Sequence, residues 1–254
     1  MGSCTNAVDA KLRDAGTTVA KRHTAFLDNP NDPETNHKLR VSIRTLRSLI
    51  DFMSPWQKGK QNERIQDDLK RVVKKTSRLR ELDVLCEMAR EGGASEELVS
   101  FCEDKAAEER EKVLKALSSR KYTNMLERAI DETCNLRWRK QFAKGKSALK
   151  ANDIRAHYDQ MVASLQADLA TLDESDYPAV HEVRKRAKQV RYVSEQFSEL
   201  LDEDAVEQAK LMKAEQDRLG ALCDAKVNRE IVESFIVRAG LSPSLAGELL
   251  LIVA

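Results

Sequence analysis

A charged helical pattern that occurs twice constrains this chain more than any other feature. His37-Lys38-Leu39-Arg40-Val41-Ser42-Ile43-Arg44-Thr45-Leu46-Arg47 is followed 144 residues later by His181-Glu182-Val183-Arg184-Lys185-Arg186-Ala187-Lys188-Gln189-Val190-Arg191. In both copies a His, an Arg, an Arg or Lys and an Arg stand at i, i+3, i+7 and i+10. At about 100° per residue these positions fall near 0°, 300°, 340° and 280°, inside an arc of roughly 80°. Each copy therefore predicts a helix with one stacked strip of positive charge. Like charges stacked at helical spacing destabilise a helix, so a fold that keeps two such strips calls for an anion to offset them.

The apolar residues agree. Leu39, Ile43, Leu46 and Ile50 lie at about 200°, 240°, 180° and 220°, and Val183, Ala187 and Val190 take the first three of these angles. The strip sits beside the apolar stripe and not opposite it, which places it along a groove between helices. The repeat continues downstream. Lys70 stands six residues before Thr76-Ser77-Arg78-Leu79-Arg80-Glu81, and Lys213 six before Leu219-Gly220-Ala221-Leu222-Cys223-Asp224, an offset of 143. Two helical bundles related by a pseudo-two-fold axis are expected, with both basic helices near a central seam.

Composition narrows the partner. The 254 residues carry 43 Lys+Arg and 42 Asp+Glu, a net charge of +1, which excludes a whole-molecule pull on nucleic acid or membrane. The charge is held in blocks. Asn36–Arg80 has thirteen basic and four acidic residues, and Asn135–Ala151 has six basic and no acidic residue, while Glu91–Arg120 and Glu199–Asp217 are net acidic. That pattern points to a focused site. With 33% charged residues, 5% aromatic residues, 9 Gly and 5 Pro, the chain fits helices with solvated outer faces and not a β-sandwich or a disordered segment. Cys4, Cys86, Cys102, Cys134 and Cys223 form no Cys-x-x-Cys pair. Neither a disulfide framework nor a zinc site is expected, and reduced thiols fit a cytoplasmic compartment. No apolar leader or 18-residue apolar run is present, and Asn6 stands where an acylation signal on Gly2 needs Ser or Thr. No membrane partner is expected.

Helical periodicity runs almost throughout. A first helix ends at Asp28-Asn29-Pro30-Asn31-Asp32-Pro33, where the second begins. Ser54-Pro55 opens a third that runs to about Glu91, Gly92-Gly93-Ala94-Ser95-Glu96 forms a turn followed by a new N-cap and a fourth helix to about Ser118, and Lys121 to Lys150 reads as a further helical piece. Helices over about 152–171 and 179–200, a long one from Asp204, and a short apolar tail after Ser242-Pro243 complete the chain.

These residues resemble the CHAD family, the conserved histidine α-helical domain. His-x-x-Arg-Val-x-x-Arg-x-Leu-Arg-Ser at 37–48 and His-x-x-Arg-Lys-x-x-Lys-x-x-Arg-Tyr-x-x-Glu-x-Phe at 181–197 are similar to its signatures. Thr76 to Leu85 is similar to its Thr-Ser-x-x-Arg-Asp-Leu-Asp-Val segment, Lys213 to Asp224 to its Lys-x-Leu-Gln-x-x-Leu-Gly-x-x-Asn-Asp segment, and Ser118 to Tyr122 to a further short element. Glu81, Cys223 and Glu215 depart from the family's usual Asp, Asn and Leu. The resemblance covers nearly the whole chain in the family's order. It implies an all-α fold, two pseudo-symmetric antiparallel four-helix bundles packed around a central basic channel. Within one domain of 1–254, residues 1–150 form the first bundle and 151–254 the second. It also implies a module that binds inorganic polyphosphate. Some members are fused to a triphosphate tunnel domain, whose Glu-x-Glu-x-Lys motif is not found here, so the free-standing form is expected.

The expected ligands are Arg40, Arg44, Arg47, Arg184, Lys188 and Arg191, since a guanidinium fork bonds two phosphate oxygens at once and Lys adds a mobile point charge. Lys185 and Tyr192 lie beside the strip. Lys70, Lys74 and Arg78 form a second wall on the third helix, with Lys213 as the repeat mate of Lys70. His37 and His181 either donate to phosphate or fix a helix interface; neither has an i+4 partner for a metal site. Arg137-Trp138-Arg139-Lys140 either lines a channel mouth through Arg137 and Lys140 or buries Trp138 in the core. Glu81, Glu195 and Asp224 are expected to orient basic side chains.

The expected function is non-enzymatic binding of long-chain inorganic polyphosphate, with no cofactor, metal or catalytic residue, in the cytoplasm and at polyphosphate granules. A phosphate-processing enzyme, or an accessory to one, is the first alternative, although no Walker loop, Arg-His-Gly motif or clustered carboxylates are present. A general polyanion or nucleic-acid binder is the second. The low net charge and few aromatics beside the strips argue against nucleic acid.

Overall fold

The computed structural model describes residues 4–139, 142, 149–201 and 204–252, and of residues 224, 225 and 227 the backbone alone. The described residues are all-α. The first half contains α1 (Cys4–Asp28), α2 (Pro33–Phe52), a 3-10 turn (Ser54–Trp56), α3 (Gly59–Lys75), α4 (Ser77–Glu91), α5 (Glu96–Leu117) and α6 (Arg120–Cys134). The second contains α7 (Ala151–Ala170), α8 (Tyr177–Phe197), α9 (Asp204–Ala239) and α10 (Pro243–Ile252).

The repeat reaches down to the helix caps. Asp32 precedes α2 and its carboxylate accepts from the Glu34 N–H at 2.9 Å; Asp176 precedes α8 and accepts from the Ala179 N–H at 3.2 Å. Each satisfies an N–H that has no partner inside the helix. Pro33 and Pro178 occupy the first turns, where the missing N–H costs nothing. His37 and His181 therefore enter their helices at the same register.

The helix expected to run through to Glu91 is two helices. The Thr76 hydroxyl bonds the carbonyls of Val72 and Val73, and the Ser77 hydroxyl bonds Val73 at 2.9 Å. Hydroxyls bonding back onto a helix bend it, and α3 gives way to α4 at Thr76. The repeat-equivalent pair in the second half, Leu219 and Gly220, carries no hydroxyl, and α9 runs unbroken through it. Two further boundaries differ from expectation. Ser54-Pro55 forms a 3-10 turn and α3 begins at Gly59. Beyond Cys134 the chain leaves the helix: the Lys58 N–H donates to the Arg137 carbonyl and the Arg139 N–H to that of Trp56, both at 2.9 Å, so an extended segment is tied across the 3-10 turn.

The apolar stripes are buried as the wheel predicts: Leu39, Ile43, Leu46, Ile50, Val183, Ala187 and Val190 all lie in the main core. That core takes side chains from α1 through the first half of α9. A second core joins Leu82, Leu85, Leu98 and Cys102 of α4 and α5 to Val232 and Phe235 of α9 and Leu245 and Leu249 of α10. Both interiors mix residues from either side of position 150, so the two repeats share their packing. The halves also meet directly where the Gln189 amide of α8 donates to the Asp51 carboxylate near the end of α2 at 2.7 Å.

Candidate functional site

Helix α3 runs antiparallel to α2, as three contacts fix: Arg40 with Val73, Arg47 with Gln66 and Asn62 with Ile50. The basic strip of α2 faces this neighbour. Arg40, expected among the ligands, points into the protein. Its guanidinium is buried, and Nη1 lies 2.7 Å from the Val73 carbonyl, 2.9 Å from the Thr76 hydroxyl and 3.2 Å from that of Ser77. The strip is stacked so close to α3 that its i+3 residue reaches the helix joint instead of solvent. Burial, with the charges of Arg44 and Arg80 beside it, lowers the Arg40 pKa to about 10. Arg47 is half-buried and donates to the Gln66 amide oxygen at 2.8 Å, while Gln66 donates back to the Arg47 carbonyl.

Arg44 is exposed one turn further along the strip, and Arg80 enters from the first turn of α4. His37 completes the group. Its pKa is lowered by burial first, then by Arg80, with Arg44 and Arg40 acting the same way and Glu34 against them. Lys70 and Lys74 are exposed on α3. Arg78 turns aside: it bonds Glu81 at 3.2 Å and lies 5.7 Å from the centre of the Phe235 ring on α9.

The second repeat builds a matching group. His181 stacks on Tyr177 with ring centroids 6.1 Å apart. Its pKa is lowered by burial, then by Lys185, Arg184 and Lys188, with Glu182 opposing. Arg184 lies over α9 at Gly220, where a Cβ would stand 3.2 Å from its Nη2. Lys185 pairs with Glu182 at 2.6 Å and Arg191 with Glu195 at 3.6 Å. Tyr192, expected beside the strip, is buried, and the Arg191 guanidinium sits 4.8 Å from its ring centre. Lys213 is exposed on α9.

The structure thus gathers His37, Arg40 and Arg44 in one group and His181, Arg184, Lys185 and Lys188 in another. It does not bring Arg137 to either. Arg137 is exposed on the segment tied to the 3-10 turn, and Trp138 is half-buried with its indole N–H on Asp9 at 3.2 Å. Lys140 and the side chain of Asp224 lie outside what is described. Two cations escaped the sequence reasoning. Arg80 was legible in the Thr-Ser-x-x-Arg segment. Lys226, 4.2 Å from the centre of the Tyr177 ring, has no counterpart in the repeat and carried no signal. A cleft of about 360 Å³ on the other flank of α2, lined by Thr18, Arg22, His37, Lys38 and Gln196 among others, was also not foreseen.

Among the described residues no group of three His, Cys, Asp or Glu side chains is placed to hold a metal ion, and no helix is long and apolar enough to cross a membrane.

An all-helical protein whose two repeated helices each concentrate cations around a histidine near the helix start is the class this arrangement defines. The profile of the CHAD domain family matches residues 12–233, and the chain belongs to that family. It is similar in structure to the CHAD domain from the plant Ricinus communis, with a TM-score of 0.77 and 21% identity over 98% of this chain and 86% of that one. It is also similar to PptA from Streptomyces chartreusis, with a TM-score of 0.67 and 14% identity over 99% and 93% of the two chains. A comparison with curated proteins finds no significant match.

Proposed function

We propose that this protein binds long-chain inorganic polyphosphate without catalysis, along the two basic strips, and associates with polyphosphate granules in the cytoplasm. The observation that carries the proposal is the pair of histidines. His37 and His181 are each the fifth residue of a repeated helix, and each is followed on the same helix face by cations at i+3, i+7 and i+10, Arg40, Arg44 and Arg47 for one and Arg184, Lys188 and Arg191 for the other. Cations held this close repel one another, and a polymer with a negative charge on every phosphate relieves both groups at once. Arg44, Arg47 and Arg80 in the first repeat and Lys188 and Arg191 in the second are the proposed contacts, with Lys70, Lys74 and Lys213 on the antiparallel helices.

Calorimetric titration with long-chain polyphosphate near physiological salt, beside short phosphates and DNA of matched charge, tests this directly. Tight binding of the long polymer alone is expected, and it is lost in the double variant Arg44→Glu/Lys188→Glu with helicity retained. Binding to DNA that equals or exceeds binding to polyphosphate would refute it, because salt-dependent attraction to phosphate is common to both polymers.

A further inference from the structure

We propose that Arg40 is a positioning residue of the binding strip. It pins the joint between α3 and α4, and the joint in turn sets where Arg80, on the first turn of α4, stands relative to the basic strip of α2. This role rests on the polyphosphate binding proposed above and removes one strip residue from direct contact.

Three observations support it. Arg40 has a relative exposure of 7%, so little of it is left for a ligand. Its Nη1 reaches the Val73 carbonyl and the hydroxyls of Thr76 and Ser77, while both hydroxyls also bond Val73. These groups all belong to the joint. The Val73 carbonyl lies where the helix bends, and a buried cation is stabilised there only by such acceptors. Arg80 begins immediately beyond, its N–H bonded to the Thr76 carbonyl at 3.2 Å. The direction of α4 leaving Thr76 therefore sets where the Arg80 guanidinium falls.

The second repeat makes the same contact by another route. Arg184, 144 residues on from Arg40, meets α9 at Gly220, 143 residues on from Ser77. One helix receives its arginine by bending and the other by omitting a side chain. Two different local solutions at one equivalent point indicate that the arginine's contact with its antiparallel helix is what both halves preserve. The next residues along the strips, Arg44 and Lys188, are the polymer contacts proposed above.

The test is a double-mutant cycle on the full chain, with long-chain polyphosphate as the probe. Arg40→Gln and Arg80→Gln are each expected to weaken binding roughly tenfold, the scale of one charged hydrogen bond. The double variant is expected to bind about as weakly as Arg80→Gln alone, because Arg40 acts through Arg80. Thr76→Val keeps volume and charge but removes the hydroxyl, and it should weaken binding where Thr76→Ser restores it. Melting temperature and helicity are measured on each variant. If Arg40→Gln fails to fold, the Thr76 variants complete the same cycle with Arg80→Gln. Losses that add in the double variant, or Arg40→Gln binding at the wild-type level, overturn the positioning role while the binding function stands. A wild-type protein that takes up no polyphosphate overturns both.

Discussion

The rings of Phe52 and Phe197, the last residues of α2 and α8, lie 5.8 Å apart and are both buried. They are the ends of the two repeated helices meeting in the interior. Trp56 and His157 close around Phe52, with His157 centred 5.0 Å from it and Trp56 6.2 Å. One aromatic cluster therefore joins side chains from both repeats, and the two basic strips are held in a fixed relation by apolar packing.

Phe52→Ala should be costly. Truncating a buried Phe leaves a cavity worth about 3–5 kcal/mol. The shared interiors predict that urea unfolding still occurs in one transition, coincident by far-UV circular dichroism and by fluorescence of the adjacent Trp56. Two separated transitions would show that the repeats fold independently.

Stability of the free protein should fall as pH drops through about 6.5. His23, His37, His157 and His181 all have pKa values lowered below 6.5, in each case by burial first. The unfolded chain therefore binds protons that the folded one refuses, and the linkage sign makes stability rise with pH in this window. The contribution is complete above the unfolded value and is lost below it. Saturating polyphosphate should shrink the loss, since an anion beside His37 and His181 favours their charged forms. Melting temperatures from pH 7.5 to 5.5, with and without polymer, check the sign, and the double variant His37→Gln/His181→Gln should abolish the polymer's effect on the slope.

Thiol reactivity should be confined to two positions. Cys86 and Cys102 lie in the second core, where burial pushes their pKa values up to about 11 and about 12, and Cys223 is buried in the first. A neutral buried thiol is a poor nucleophile. Native protein at pH 8 should react with a disulfide reagent only at Cys4 and Cys134, and the other three should appear on denaturation. Fast reaction of Cys86 in the folded state would contradict the packing of α4 on α5.

Gly220→Ala separates stability from binding. Within a helix the change is worth up to about 1 kcal/mol in favour of folding. The new Cβ would stand 3.2 Å from Arg184 Nη2, so the guanidinium must shift. The expected result is an unchanged or higher melting temperature with weaker polyphosphate binding. A gain in both would show that the position of Arg184 is immaterial to the strip.

Much of the fold is local and therefore readable. Asp32 and Asp176, each followed within two residues by proline, mark the starts of α2 and α8, and the 3.6-residue period marks their buried faces. The end of the third helix is not legible in the sequence, for an identifiable reason. Apolar periodicity continues through Thr76, and only the hydroxyls of Thr76 and Ser77, together with Arg40 arriving from α2, bend the chain there. The segment after Cys134 is not legible either, because its backbone partners, Trp56 and Lys58, are remote in sequence.

The sequence by itself determined that the protein is helical, that it is duplicated, and that each copy carries a basic strip beside an apolar stripe, because these follow from residue type and helical spacing alone. It could not separate Arg40 from Arg44, which lie about 40° apart on one helix face. Only the antiparallel α3 distinguishes them. It approaches closely enough to bury one guanidinium on its own bend and leaves the other in solvent. The sharing of both cores across position 150 was likewise a tertiary decision, since the contacts of α4 and α5 with α9 and α10 join residues more than a hundred positions apart.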